Sequence, residues 1–542
     1  MSEQQAPDQT TQTTPTQLDA VVIGAGVTGI YQLYRLKEAG LRVRLLEAGT
    51  GVGGVWYWNR YPGARFDSES YAYGYFFDKQ LVEEWSWTEE FAGQPETERY
   101  LNHVVDRFAL REVIEFEQKV SSAVWNAADQ RWTVTTAAGR VFVTRFLVTA
   151  LGILSAPQFP DVPGLDEFEG DWAHTGLWPA EGVDFKGKRV AVVGTGSSGV
   201  QIIPFVARDC SELVVFQRNP NWCTPLNNFE ITSERMQDIR DRIDEIFEAT
   251  QLSPSGSIHR PMEQSSLDMD PAEREAHFDR LYAAPGLTMA LGNFRDVAVD
   301  KQANDAVTAY IAEKIRSRVQ DPEVAERLIP KTHGFGQKRP PTENGYYEVF
   351  NEGHVTLVST GEEPMLRYTK TGIETAARHY DVDVIIFATG FEAVVGSYNR
   401  IDIRGTGGRS LREHWDAGPR TYLGLQVTGF PNLFLVGGPQ GTAGNIPRAT
   451  DFQVDWVMDA LAHMKAHEYQ VIEPTEDAED EWIDHVNSGI VGTMQETASS
   501  WAFGSNIPGR KRAYLLYAGG LPQYRRQVQT ATDEGYRGFR FS

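Results

Sequence analysis

The stretch LDAVVIGAGVTGIYQLYRLKEAGLRVRLLEA, residues 18–48, decides the fold. Ala20–Ile23 is an apolar run of strand length. Gly24, Gly26 and Gly29 follow in G-x-G-x-x-G spacing, and Ile30, Leu33 and Leu36 then recur at helical spacing. A second apolar run, Val43–Leu46, ends in Glu47. Each part has a mechanical job. Gly24 permits the tight turn, Gly26 lets a pyrophosphate approach the backbone, and Gly29 lets helix and strand pack closely. The helix N-terminus presents N–H groups to the phosphates, and Glu47 is placed to bind ribose hydroxyls. Strand, triad, helix, strand and terminal acid together predict a dinucleotide-binding βαβ unit.

The pattern recurs at KRVAVVGTGSSGVQIIPFVARDCSELVVFQR, residues 188–218, with Gly194, Gly196 and Gly199 as the triad. The count that reached Glu47 now reaches Gln217, and Arg218 follows. A carboxylate there would repel a 2′-phosphate, whereas an amide followed by a guanidinium accepts one. The second site is therefore expected to prefer NADPH over NADH. Two later apolar strands that end in glycines, DVDVIIFATGF (381–391) and GFPNLFLVGGPQG (429–441), resemble the segments by which two-dinucleotide flavoproteins return to their flavin domain, and that resemblance implies FAD as the first ligand. The fold class is α/β, with two Rossmann-like dinucleotide-binding domains and a helical insertion.

Composition narrows the function. A chain of 542 residues is long enough for two or three cores. The formal charge of −23 argues against nucleic acid or an anionic membrane surface as the main partner. Cys210 and Cys223 form neither a CxxC nor a metal spacing, which suggests a reducing compartment and no metal site. No apolar run is long enough to span a membrane. The N-terminus, MSEQQAPDQTTQTTPTQ, lacks the features of a signal peptide. Residues 1–16 are expected to be a disordered tail, and the location cytoplasmic.

Two further motifs carry a resemblance. Phe168, Gly170, His174, Thr175, Trp178 and Pro179 fit F-x-G-x-x-x-H-T-x-x-W-P. Gly53, Gly54, Trp56, Tyr61, Pro62, Gly63 and Asp67 fit G-G-x-W-x-x-x-x-Y-P-G-x-x-x-D. The chain resembles the type I Baeyer–Villiger monooxygenases, relatives of cyclohexanone and phenylacetone monooxygenases, from about Leu18 to its C-terminus. The resemblance implies a reaction of a ketone with O2 and NADPH to an ester or lactone through a C4a-peroxyflavin, on a monomer or weak homo-oligomer. It makes Phe168–Pro179 the linker between the FAD and NADPH domains. Its aromatics would anchor by burial, and His174 would hydrogen-bond backbone across the joint.

The resemblance also implies residue roles. Arg339 is the active-site arginine, with Asp67 as the carboxylate that orients it. An arginine suits a site that needs a permanent cation for a peroxide anion and for the oxyanion of a tetrahedral adduct. Lys338 joins Arg218 at the 2′-phosphate, and Trp501 contacts the nicotinamide nucleotide. Thr28, Val55, Trp56, Tyr57, Trp58, Tyr73, Val120 and Ile446 join Gly24, Gly26, Gly29, Glu47 and Gly54 around FAD. Thr195, Ser197, Ser198, Gln201 and Asn219 join Gly194, Gly196 and Gly199 around NADPH. The loop Gln440–Ala449, whose Asn445 and Ile446 are expected near the flavin, shapes the substrate pocket, and Ile153 and Leu154 are expected to line it.

The expected organisation is an FAD domain at 17–155 and 380–542, an NADPH domain at 156–225 and 330–380, and a helical insertion at 226–329. Met236, Ile239, Ile243, Ile246 and Phe247, and then Val307, Tyr310, Ile311 and Ile315, form its helical stripes. A disulfide reductase would need the missing CxxC. A flavin monooxygenase acting on nitrogen or sulfur is the nearer alternative, and the linker motif argues against nitrogen. A non-catalytic FAD/NADPH sensor would not need Arg339 and Asp67.

Overall fold

A computed structural model of the chain describes residues 15–441, 444–498, 500–507 and 509–542. Residues 1–14 of the expected tail, two residues of the Gln440–Ala449 loop (Thr442 and Ala443), Ser499 and Pro508 lie outside them. Thr16, placed in the tail by the sequence, already opens a strand.

The quoted stretch folds as read: strand Thr16–Ile23, helix Val27–Glu38, strand Val43–Leu46. Its strands are parallel, with Ala20 opposite Val43 and Ile23 opposite Leu46. Ala20, Val21 and Val22 are buried, as a parallel strand covered on both faces requires. In spatial order the first sheet runs Asp402–Arg404, Val120–Asn126, Arg131–Thr136, Val141–Thr149, Thr16–Ile23, Val43–Leu46 and Ile114–Glu115. Leu433–Leu435 also pairs with Val141–Thr149. The second sheet is wholly parallel: Val355–Ser359, Glu212–Gln217, Arg189–Val193, Val384–Phe387 and Asp171–His174.

One expectation changes. The strand of DVDVIIFATGF does not return to the first sheet. Val384–Phe387 lies in the second, with Val384 opposite Val190 on one side and Asp171 on the other. An apolar strand ending in A-x-G reads the same in either sheet, and its pairing partner is not written locally. The duplication held the answer. A Cβ on Gly24 would sit 2.6 Å from the carbonyl oxygen of Ala150, and one on Gly194 would sit 2.4 Å from that of Ala388. Ala150-Leu151-Gly152 and Ala388-Thr389-Gly390 are thus the same structural position in the two units. The return to the first sheet comes later, with Asp402–Arg404 and Leu433–Leu435.

The linker motif is likewise more than a connector. Asp171–His174 is the edge strand of the second sheet. The insertion is helical, with Ser233–Asp241, Ile243–Leu252, Pro271–Ala283, Lys301–Arg318 and Pro322–Leu328, but it has no core of its own. Met236 and Ile239 join the core of the first sheet, whereas Val307, Ile311 and Ile315 join that of the second. Among the described residues no helix is long and apolar enough to cross a membrane.

The tightest packing is at Gly29, where a Cβ would lie 1.8 Å from the Gly24 carbonyl oxygen. Gly29→Ala must therefore push the helix off its strand. We expect a loss of ~1–3 kcal/mol, measured as a shift of the urea midpoint; an unchanged midpoint would contradict the packing.

Candidate active site

Gly26 and Gly54 face each other: a Cβ on Gly54 would lie 2.8 Å from the Gly26 Cα. Gly54 has φ 57°, in the left-handed region that favours glycine. Around Gly196 a Cβ would meet nothing within 4 Å. Both triads thus leave bare backbone beside a helix N-terminus, a shape that fits a dinucleotide pyrophosphate in each. Glu47 closes the first cradle. Its two carboxylate oxygens accept the N–H groups of Ala25 and Gly49, each at 2.8 Å, and burial pushes its pKa up. Gln118 donates its N–H to the Glu47 carbonyl, which brings the start of the strand at Val120 alongside. Thr28 meets Thr450 hydroxyl to hydroxyl at 3.1 Å, so the helix Ile446–Ala466 starts against the first cradle. Asn445, just before it, donates to the Ala72 carbonyl at 2.9 Å and keeps a buried Oδ1 without a partner. Ile153 and Leu154 are half-buried against the first core.

The segment Gly53–Asp67 reaches the first cradle, the linker, the second unit and Arg339. Trp56 donates from its indole to the Tyr73 hydroxyl at 3.0 Å, and burial pushes the Tyr73 pKa up to about 12. Tyr57 closes back on Thr50, and the Trp58 carbonyl accepts the Trp178 N–H of the linker at 3.2 Å. The Tyr61 ring lies edge-on to Trp178. At the end of the segment the Asp67 carboxylate accepts Arg339 Nη2 at 2.5 Å across 272 residues of sequence. Arg339 remains 49% exposed while Asp67 is 14% exposed. The pair joins the two residues singled out from the sequence. Asn221, which sequence reasoning missed, fixes the Arg339 backbone by donating to its carbonyl at 3.1 Å. Thr450 was also missed. Both work through partners far away in sequence, so no local signal marks them.

In the second unit, Gln217 is buried, and its amide donates to the Arg327 carbonyl at 2.8 Å. Arg218 is exposed beside the partly buried Lys338, whose pKa is lowered by burial and then by the Arg218 charge. Neither has an ion-pair partner among the described residues, so two like charges stand together as an anion site would require. Thr195 donates its hydroxyl toward the Asn219 carbonyl at 3.3 Å, and Ser197 and Ser198 open the helix Ser197–Asp209. Trp501 is half-buried at the start of a short turn, Trp501–Phe503. The loop carrying Lys338 and Arg339 is tied to the chain before it, with Gln337 donating to the Met494 carbonyl at 2.7 Å.

The amide of Gln201, expected beside the nucleotide, bridges the two units: Oε1 accepts the Tyr61 hydroxyl at 2.7 Å and Nε2 donates to the Arg65 carbonyl at 2.9 Å. It therefore holds both ends of Tyr61–Arg65, two residues short of Asp67. The Nδ1 of His174 accepts the N–H of Gly176 in its own turn at 2.9 Å, and the backbone of Gln158 and of Gly390 also acts on the ring. The ring sits between Phe159 and Phe391, and burial lowers its pKa to about 4, so it is neutral at pH 7. Phe168 and Trp178 are buried, Pro179 is half-buried, and Gly170 is needed because a Cβ would meet the Asp383 carbonyl oxygen at 2.5 Å. No cluster of His, Cys, Asp or Glu among the described residues could hold a metal.

Comparison with known proteins adds four findings. A family model described as pyridine nucleotide-disulphide oxidoreductase matches residues 21–266. An acetone monooxygenase (methyl acetate-forming) from Gordonia sp. (strain TY-5) is 40% identical, covering 97% of this chain and 99% of its own. A phenazine N-monooxygenase from Lysobacter antibioticus is 40% identical, covering 97% of each chain. The crystal structure of OTEMO in complex with FAD and NADP superposes with a TM-score of 0.94 at 44% identity, covering 98% of this chain and 100% of that one.

The Gln201 bridge generates a prediction. Gln201→Leu should cost ~1–2 kcal/mol and raise backbone amide exchange in residues 61–67 selectively, leaving the helix Val27–Glu38 unchanged. Hydrogen–deuterium exchange with peptide resolution reads both; equal protection of residues 61–67 in the variant would rule the bridge out as the tie.

Proposed function

The chain belongs to the Baeyer–Villiger monooxygenases, which hold FAD and use NADPH to insert one oxygen atom of O2 beside a ketone carbonyl, and on that premise we propose how its residues divide the work. Bound FAD, once reduced by NADPH, supplies the activation of O2. Gly24, Gly26, Thr28 and Gly54 hold its phosphates and ribityl chain, Gly29 packs the helix on the strand behind them, and Glu47 holds its ribose. Gly194 and Gly196 hold the NADPH pyrophosphate with Gly199 packing the helix behind them, while Arg218 and Lys338 receive the 2′-phosphate. Gln217 leaves that phosphate no carboxylate to oppose it.

Arg339 is the catalytic residue. It has five N–H donors, of which one is recorded in a bond, to Asp67. The others serve the oxygen that becomes anionic when the ketone carbonyl is attacked. Asp67 positions the guanidinium through one oxygen at one edge and leaves the rest of the fork facing outward. Ile153, Leu154, Asn445 and Ile446 border the ketone. The observation that supports this reading is the Asp67–Arg339 contact, which joins a loop of the first unit to a loop of the second. Cys210 and Cys223 are unpaired, and burial pushes the Cys210 thiol up to about 11, which suits a cytoplasmic enzyme with no thiol chemistry.

The test is a panel of cyclic, aryl and steroid-sized ketones with NADPH and 18O2, products read by mass spectrometry. An ester or lactone carrying one labelled oxygen is expected. The likeness to a phenazine N-monooxygenase gives a second reading, oxygen transfer to an aromatic nitrogen; a phenazine in the same panel separates the two, and oxygenation of nitrogen alone would overturn the first.

The phosphate contact is tested separately. Arg218→Ala should raise KM for NADPH by about tenfold, the loss of a charge-assisted contact of ~1.5 kcal/mol, and leave KM for NADH nearly unchanged. Equal increases for both nucleotides would remove Arg218 from the 2′-phosphate.

A further inference from the structure

A cavity of about 250 Å3 lies behind the first cradle, half-open to solvent. Val27, Pro447 and Thr450 line it on the cradle side, and none of the cradle glycines does. Its walls are aromatic. Tyr31 and Phe77 stack at 4.9 Å, and Phe247 from the helical insertion faces them. Two arginines share this wall. Arg448, in the first turn of the helix Ile446–Ala466, is 1% exposed. Its guanidinium lies 4.4 Å from the Phe76 ring centroid, and Nη2 donates to the Gly74 carbonyl at 3.0 Å. Arg525 donates from Nη2 to Asp451 at 3.0 Å and to the Arg448 carbonyl at 3.3 Å.

The hydrogen bonding left over is one-sided. Arg448 Nε and Nη1, Arg525 Nε and Gln251 Nε2 are buried and have no hydrogen-bond partner. Arg448 Nε stands 3.8 Å from Asp451, beyond hydrogen-bond reach. All four are donors, and the lining offers no orphaned acceptor to match them. The charge is one-sided as well. Asp455 is engaged by Arg35 and by the Tyr31 hydroxyl, which leaves two guanidiniums to the single carboxylate of Asp451. Buried donors without partners cost stability, and an excess positive charge in an aromatic wall favours an anion with an apolar body.

We propose that this cavity is a second ligand site, for a small monocarboxylate carrying an apolar ring. The carboxylate accepts from Arg448, Arg525 and Gln251, and the ring packs among Tyr31, Phe77 and Phe247. None of the four residues placed beside the ketone lines this cavity, so benzoate is expected not to compete with the ketone.

Benzoate is the probe and benzyl alcohol its neutral counterpart. Each is titrated calorimetrically into the FAD-loaded full-length protein with NADP+ present, and benzoate is then added to ketone assays. Saturable one-to-one binding of benzoate is expected, with benzyl alcohol at least tenfold weaker and KM for the ketone unchanged. Gln251→Leu and Arg525→Met should each weaken benzoate at least tenfold. The Gln251 Nε2 has no partner in the free protein, so Gln251→Leu removes no hydrogen bond there and keeps the test valid should Arg525→Met fold poorly. Binding absent at millimolar benzoate, equal binding of the alcohol, undiminished binding by Gln251→Leu, or competition with the ketone would each overturn the proposal.

Discussion

A guanidinium must be held at one place by a carboxylate that lies 272 residues away in sequence, and the architecture is arranged around that contact. The segment Gly53–Asp67 is the means. It begins against the first cradle at Gly26, accepts the linker backbone at Trp58, and is gripped at Tyr61 and Arg65 by Gln201 of the second unit. It ends at Asp67. A shift of either nucleotide unit is therefore transmitted to the residue that orients Arg339. The linker joins the same segment through Trp178, which accounts for large buried aromatics in so short a connection.

The Asp67–Arg339 pair is not a stability device. Arg339 is half-exposed, and ion pairs in such positions contribute between nothing and ~1 kcal/mol. Its worth lies in geometry and in permanence. An arginine keeps its charge at every working pH, and one bond to Asp67 fixes the fork while its other donors stay available. The Lys338–Arg218 pair shows the opposite arrangement. Two cations are held together with no carboxylate beside them, which costs the protein something until an anion arrives.

Much of this was legible in the sequence. Both glycine triads, the strand and helix around each, and the exchange of Glu47 for Gln217 follow from spacing alone, because the turn and the phosphate approach need particular residues at particular steps. What was not legible involves partners rather than elements. Val384–Phe387 reads as a strand, but only the match of Ala388 at Gly194 to Ala150 at Gly24 assigns its sheet. Gln201 sits within a nucleotide-binding signature, yet its side chain is spent on Tyr61 and Arg65. His174 bonds to its own turn. The insertion helices show their apolar stripes plainly, but the stripes do not say that one half packs on each core. In each case the side chain's type was informative and its distant partner was not.

We propose that Arg339 serves oxygen insertion and not nucleotide binding or folding. The ratio of ester formed to NADPH consumed in purified Arg339→Ala decides this. A yellow, folded protein that continues to oxidise NADPH while forming no ester is the expected result. Ester formation at the parent ratio would show that the cation held by Asp67 is dispensable, and the role given to both residues would fall.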